Sequence, residues 1–166
     1  MEASSSSLQF DHKQAARVYV WKTLRDRNAA RFPFPVQGRI PNFAGAREAA
    51  ARLFTIPEFR DARVLKINPD SPQRWVRAEA LRRGIICYVP TPRLRAGFRC
   101  LDPGQIPESR YQQAATLSGA EQWGRLVPLA ELPAMDAIVT GSVAVTTDGA
   151  RCGKGEGYGD LEYGIL

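Results

Sequence analysis

The segment with the most chemical content is Arg151-Cys152-Gly153-Lys154-Gly155-Glu156-Gly157-Tyr158-Gly159-Asp160, with glycine at every second position from 153 to 159. Alternating glycines let the backbone approach a ligand closely and turn its N–H groups toward an anion. Asp160-Leu161-Glu162-Tyr163 reads as the first turn of a helix, and a glycine-rich loop that feeds a helix N-terminus is suited to phosphate. Arg151 and Lys154 add full positive charge, while Glu156 and Asp160 are hard oxygen ligands suited to Mg²⁺ beside a phosphate. The loop is not a Walker A sequence, because Lys154 is not followed by Ser or Thr, and its spacing is not that of a dinucleotide-binding fingerprint. On spacing alone two readings stand, a phosphate cradle and a mobile glycine turn.

Composition narrows the other chemistry. The chain has 166 residues, 44% hydrophobic and 24% charged, which suits one folded domain rather than a disordered segment. Three scattered cysteines (Cys87, Cys100, Cys152) and one histidine, His12, are too few for a structural zinc site or a disulfide scaffold. They point to a reducing compartment. Triad catalysis through His12 is disfavoured by its place near a polar terminus. Residues 1–125 carry 21 basic and 11 acidic groups, whereas residues 126–166 carry 2 and 6. A basic part and an acidic, glycine-rich part could meet around a polyanion and its metal. Arginines on a solvated surface are the plainer reading of 19 arginines against 4 lysines. The basic excess also permits a nucleotide- or RNA-associated module, although no RNP1-like string or zinc knuckle is present. No apolar run is long enough to span a membrane, and the first residues lack a signal-peptide pattern. A cytoplasmic location is expected, or an organellar one if the true N-terminus lies upstream.

Several elements must position these groups. Residues 1–10 are serine-rich and expected to be a disordered tail ahead of a domain spanning 11–166. A helix is expected from Asp11, its N-cap, to Ala30, with Ala15, Val18, Trp21 and Leu24 forming an apolar stripe and Trp21 in the core. Lys13 and Arg17 stand four apart on that helix and share a face. A second helix is expected over 45–54. A strand over 62–67, a helix over 73–83 closed by Gly84 and a strand over 85–89 form a βαβ unit, so the sheet should be parallel. Ligands of such sheets bind at the strands' carboxyl ends, here Asn68-Pro69-Asp70 and Pro90-Thr91-Pro92-Arg93. Residues 97–125 look loop-rich, with a short helix near 111–116. Strands are expected over 137–140 and 142–146, then a turn at Asp148-Gly149. Trp75 and Trp123 are weighed as stacking platforms, Arg93 and Arg95 as partners for a carboxylate, Phe34 and Phe43 as packing residues, and Cys152 as a small filler.

The chain resembles the 5-formyltetrahydrofolate cyclo-ligase (methenyltetrahydrofolate synthetase) family, and within it the methenyltetrahydrofolate synthetase domain-containing branch. The resemblance rests on Lys13-x-x-x-Arg17, Arg39-Ile40-Pro41-Asn42-Phe43, Asn68-Pro69-Asp70, Val89-Pro90-Thr91-Pro92-Arg93-Leu94, Thr140-Gly141-Ser142-Val143-Ala144-Val145 and Gly153-Lys154-Gly155-Glu156-Gly157-Tyr158-Gly159-Asp160. It implies a three-layer α/β sandwich with a mainly parallel sheet, similar to the NagB/RpiA/CoA-transferase type. It implies an enzyme that uses MgATP to close 5-formyltetrahydrofolate to 5,10-methenyltetrahydrofolate. In the family mechanism the formyl oxygen attacks the γ-phosphate, N10 then attacks the activated carbon, and phosphate leaves.

Carried onto this sequence, Lys13, Arg17 and Arg151 match catalytic cations on the ATP phosphates. Gly153, Lys154, Gly155, Glu156, Gly157, Tyr158 and Gly159 match the phosphate-binding loop, and Asp160 matches the Mg²⁺ ligand. Two features depart from the family. Its loop usually ends Gly-Tyr-Tyr-Asp, against Gly157-Tyr158-Gly159-Asp160 here. Its folate-binding acidic residue after the second core strand has no clear equivalent in Ser71-Pro72-Gln73-Arg74, where Asp70 is only nearby. An altered, still folate-like substrate pocket is therefore expected, and since family chains continue for several tens of residues, a domain incomplete at its C-terminus is expected too.

Overall fold

In the computed structural model residues 8–166 are described. In chain order the elements are α1 (Lys13–Asp26), β1 (Ala30–Arg31), β2 (Asn42–Phe43), α2 (Ala46–Leu53), α3 (Pro57–Arg60), β3 (Val64–Ile67) and α4 (Arg74–Arg82). Then follow β4 (Ile86–Pro90), β5 (Phe98–Leu101), α5 (Tyr111–Ala114), α6 (Leu117–Trp123), β6 (Arg125–Val127), β7 (Ala137–Val139), β8 (Ala144–Val145), β9 (Arg151–Cys152) and α7 (Tyr158–Ile165).

The central sheet runs β6-β5-β4-β3-β7. β3 pairs parallel with both β4 and β7, as the βαβ pattern predicts, while β5 is antiparallel to β4 and to β6. Four strands therefore point one way and β5 the other. Alternation sorts the side chains. Leu65, Ile67, Cys87, Val89 and Leu101 face α2, α4, α5 and α6 in the main core, with Phe54, Val76, Ala80 and Leu81. Tyr88, Phe98, Cys100 and Val127 pack on the opposite face. Lys66 is in register with Tyr88, hence on that same face, where Glu162 of α7 meets it. The sheet thus lies between helices, as the expected α/β sandwich requires.

A smaller cluster, Trp21, Val36, Ile40, Val143 and Cys152, ties α1 to the β8–β9 hairpin. Trp21 is in the core as expected and donates its indole N–H to the Arg39 carbonyl at 3.1 Å. Cys152 is the buried filler that the sequence suggests.

Several boundaries differ from the sequence expectation. α1 begins at Lys13 and ends at Asp26, and its N-cap is His12, whose ring accepts from Ala15 N–H at 3.1 Å, rather than Asp11. Its inner face runs through Ala16, Val20 and Trp21, and Val18 is exposed. Residues 1–7 of the expected tail lie outside the described residues, and Phe10 packs its ring 5.4 Å from Tyr19. The stretch 97–125 holds β5, α6 and β6 besides the short helix. β6 begins at the end of this stretch with Arg125 and has a single buried residue, Val127 just beyond it, so no long periodic run betrays these strands. The strand expected over 142–146 shrinks to β8 and leaves the central sheet for a hairpin with β9. Phe34 is 59% exposed and is not a packing residue.

One acid fastens the sheet's leading edge. Asp136 Oδ2 accepts from the backbone N–H groups of Arg63 at 2.8 Å and Val64 at 2.9 Å, joining the starts of β3 and β7. These backbone donors hold its carboxyl below the usual aspartate range. A depressed folded value means stability that is present above the unfolded value and lost as pH falls through the folded one. Asp136→Asn is therefore expected to flatten the acid side of a urea-midpoint-against-pH curve; an unchanged slope refutes this.

Candidate functional site

A cleft of about 790 Å³ opens at the carboxyl ends of β3 and β4, where the sequence pattern places a ligand. It is built from segments distant in the chain: the first turns of α1, residues 39–42, the loop after β3, the loop after β4, Gly141 and the glycine loop with α7. Every sequence-predicted site residue lines it, namely Lys13, Arg17, Arg151, Gly153, Lys154, Gly155, Glu156, Gly157, Tyr158, Gly159 and Asp160.

The glycine loop is held by arginines. Arg17 donates through Nε to the Gly153 carbonyl at 2.6 Å. A Cβ on Gly155 would stand 3.7 Å from the Arg17 guanidinium carbon, so the cation lies directly against the loop. Arg151 donates to Ser142 Oγ at 3.0 Å, to the Gly141 carbonyl at 3.1 Å and to Asp160 Oδ1 at 2.9 Å. Lys154 pairs with Glu156 at 3.1 Å. Gly155 (φ +108°) and Gly157 (φ +77°) take the left-handed backbone that other residues adopt only under strain. Gly157 is the N-cap of α7, with no side chain to satisfy the first N–H groups of that helix. Helix α7 starts at Tyr158, two residues before the expected turn.

Beneath the loop lies a buried polar network. Lys66 is fully enclosed, and its ammonium pairs with Glu162 and donates to Asn68 Oδ1. Burial lowers the Lys66 value, and the Glu162 carboxylate opposes that shift. Asn68 in turn reaches Asp70 Oδ2 at 3.5 Å. Asp70 lines the cleft, and burial raises its carboxyl above the ordinary range while Lys154 and Asn68 pull the other way. Gly141 packs against it: a Cβ there would come 2.8 Å from Asp70 Oδ2 and 3.1 Å from Gln73 Oε1. Gln73 Oε1 and Arg74 Nε are enclosed without a hydrogen-bond partner among the described residues, so this wall retains unsatisfied polar capacity.

Residues weighed for secondary roles divide. Trp75 and Arg93 line the cleft, with the Arg47 and Arg74 guanidinium groups 5.5 Å and 5.4 Å from the Trp75 ring. Trp123 packs against the main core instead, away from the cleft. Lys66, Arg77 and Glu162 escape a motif reading. For Lys66 the available signal is a lysine inside the otherwise apolar β3 run, since such residues are rarely enclosed unless partnered, whereas Arg77 stands in a helix rich in charge and gives no such signal.

The donor set suits a polyphosphate. Lys13, Arg17, Arg151 and Lys154 line one cleft with a positive-φ glycine loop, and Arg39, Arg74, Arg77 and Arg93 line it too. No cluster of three or more His, Cys, Asp or Glu suited to a metal exists among the described residues. A divalent ion would thus depend on Asp160 and on ligand oxygens, which fits Mg²⁺, an ion bound through few protein carboxylates. No helix among the described residues is long and apolar enough to cross a membrane.

The chain is 41% identical over 156 residues to a mouse protein named methenyltetrahydrofolate synthase domain-containing protein, covering 93% of this chain and 42% of that protein. The zebrafish and human proteins of the same name are 38% and 36% identical, over 95% and 93% of this chain and 42% and 41% of theirs. The chain therefore spans about two fifths of the length of these curated relatives. The family model described as the 5-formyltetrahydrofolate cyclo-ligase family matches residues 10–166, and the chain belongs to that family.

Proposed function

We propose that this domain binds MgATP in the large cleft and activates a formyl or carboxyl oxygen of a folate-like compound by phosphoryl transfer. Membership of the cyclo-ligase family supports a folate-related, ligase-like function. The observation that carries the nucleotide part is the convergence of Lys13 and Arg17, from the first helix, on the Gly153–Gly159 loop from the other end of the chain. Phosphoryl transfer asks little covalent chemistry of a protein, and mostly positioning and neutralised charge.

Each group then has a task. Lys13, Arg17, Arg151 and Lys154 neutralise and orient the phosphate oxygens, with the loop N–H groups around them. Asp160 holds Mg²⁺ together with phosphate oxygens, and the Arg151 guanidinium at 2.9 Å sets the carboxylate's direction. Asp70, whose carboxyl burial raises, and Trp75 also line the cleft and are assigned here to the folate-like acceptor. Trp75 offers a stacking face to a flat heterocycle.

Isothermal titration with MgATP tests the nucleotide part. Wild-type protein is expected to bind one equivalent, and Lys13→Ala to bind about tenfold or more weakly, as loss of one charge-assisted contact implies. No heat with the wild type, or unchanged binding by the variant, overturns it. The second part predicts phosphate release that requires both MgATP and 5-formyltetrahydrofolate. Release independent of the folate would remove the folate from the reading.

A further inference from the structure

A second pocket, of about 250 Å³, opens beside the cleft between the loop after β4 and the start of α6. Its walls are largely apolar, with Val89, Pro90, Pro92 and Ala120 among them. Arg77, projecting from α4, forms part of the wall of both cavities.

Arg77 is unusual in its surroundings. It is only 2% exposed, yet among the described residues it forms no ion pair. Its acceptors are all backbone carbonyls: Nε donates to Ala115 at 2.8 Å, and Nη1 to Asn68 and, at 3.3 Å, to Asp70. Among the described residues no acceptor is bonded to Nη2. Burial pulls the guanidinium down to about 10, so it remains charged at neutral pH. Asp70 attracts it only at a distance, and the Asp70 carboxyl is itself raised by burial. A buried cation without a counter-ion is costly, and an anion entering an apolar pocket beside it would recover part of that cost. Arg95 and Arg99 add positive charge around the same pocket, against one exposed acid, Glu121. Arg99 is already engaged with the Glu121 and Gly124 carbonyls, at 3.2 and 3.1 Å.

We propose that this smaller pocket is a recognition site for an organic carboxylate with a compact apolar body, and that Arg77 is its buried cation. Nη2 donates to the carboxylate, and the proline, valine and alanine walls enclose the apolar part. The pocket adjoins the cleft and shares Arg77, Pro90 and Thr91 among its walls, but none of the glycine-loop residues lines it, so the proposal does not rest on the MgATP reading.

Ligand-observed NMR on the full chain, without nucleotide, tests this with benzoate and its uncharged isostere benzamide. Saturable benzoate binding is expected, with benzamide at least tenfold weaker. Arg77→Met should erase that preference. Ala96→Trp, at an exposed wall position of this pocket alone, should weaken benzoate at least tenfold while leaving thermal unfolding and MgATP titration unchanged. If Arg77→Met does not fold, Ala96→Trp decides. Absent benzoate binding, equal binding of the two probes, or benzoate binding unaffected by Ala96→Trp overturns the proposal. Since no nucleotide is present, failure here is separate from failure of the MgATP reading.

Discussion

Glu162→Ala is expected to cost about 3–5 kcal/mol of folding stability, because it strands the ammonium of Lys66 in the interior. Lys66 is fully enclosed and the Glu162 side chain is 6% exposed, so solvent cannot replace the lost partner. Asn68 remains as an acceptor, but a neutral amide oxygen does not balance a charge. The double variant Lys66→Met with Glu162→Leu removes both charges and keeps apolar bulk, and is expected to recover most or all of the loss. Urea unfolding of the wild type, Glu162→Ala and the double variant measures this directly. A loss below about 1 kcal/mol in Glu162→Ala, within the range of an exposed pair, would show that the pair is not desolvated. The pair's placement gives the result functional weight, since Glu162 lies on the helix that follows the glycine loop and Lys66 on β3 of the central sheet.

Arg17 carries the second large effect. It anchors the loop through the Gly153 carbonyl at 2.6 Å and places a cation against Gly155. On the proposed reading, Arg17→Ala removes both a loop tether and a phosphate contact, and MgATP affinity should fall about 100-fold. That corresponds to charge-assisted hydrogen bonds worth about 1.5–3 kcal/mol. Arg17→Lys keeps charge without the planar fork and should recover only part of the affinity. Titration of all three proteins with MgATP is the measurement. Equal affinities would detach α1 from nucleotide binding, whatever the fate of the loop.

Much of this architecture was legible in the sequence, and the limits have physical causes. The βαβ unit was readable because β3 and β4 are short apolar runs bounded by Asn, Gly and Pro, and because the intervening helix keeps its period. The glycine loop was readable because alternate glycines have few structural uses other than close approach. β5 and β6 were not readable. The Phe98–Leu101 strand includes Arg99 and follows Arg93 and Arg95, and β6 has one buried residue, so tertiary pairing, of β5 with β4 and of β6 with β5, rather than pattern forms them. The helix N-cap was misjudged because His12 and Asp11 are adjacent and both can accept a hydrogen bond. Lys66 and Glu162 lie 96 residues apart, and nothing local connects two opposite charges at that distance. Arg77 was unreadable for the same reason, since its partners are backbone carbonyls of other segments and carry no residue identity.

The Arg17–Gly153 contact spans 136 positions of the chain. Closing so long a loop costs conformational entropy before any contact repays it, whereas the β3–α4–β4 unit closes within about thirty residues. The scaffold can therefore assemble early from neighbouring pieces, and the ligand cleft comes into being only when the first helix meets the glycine loop. Amide exchange in the glycine-rich segment should accordingly proceed through openings of lower free energy than those exposing β3 and β4. A ligand that bridges the first helix and the loop would slow that opening by mass action, so that occupancy strengthens the junction that closes last.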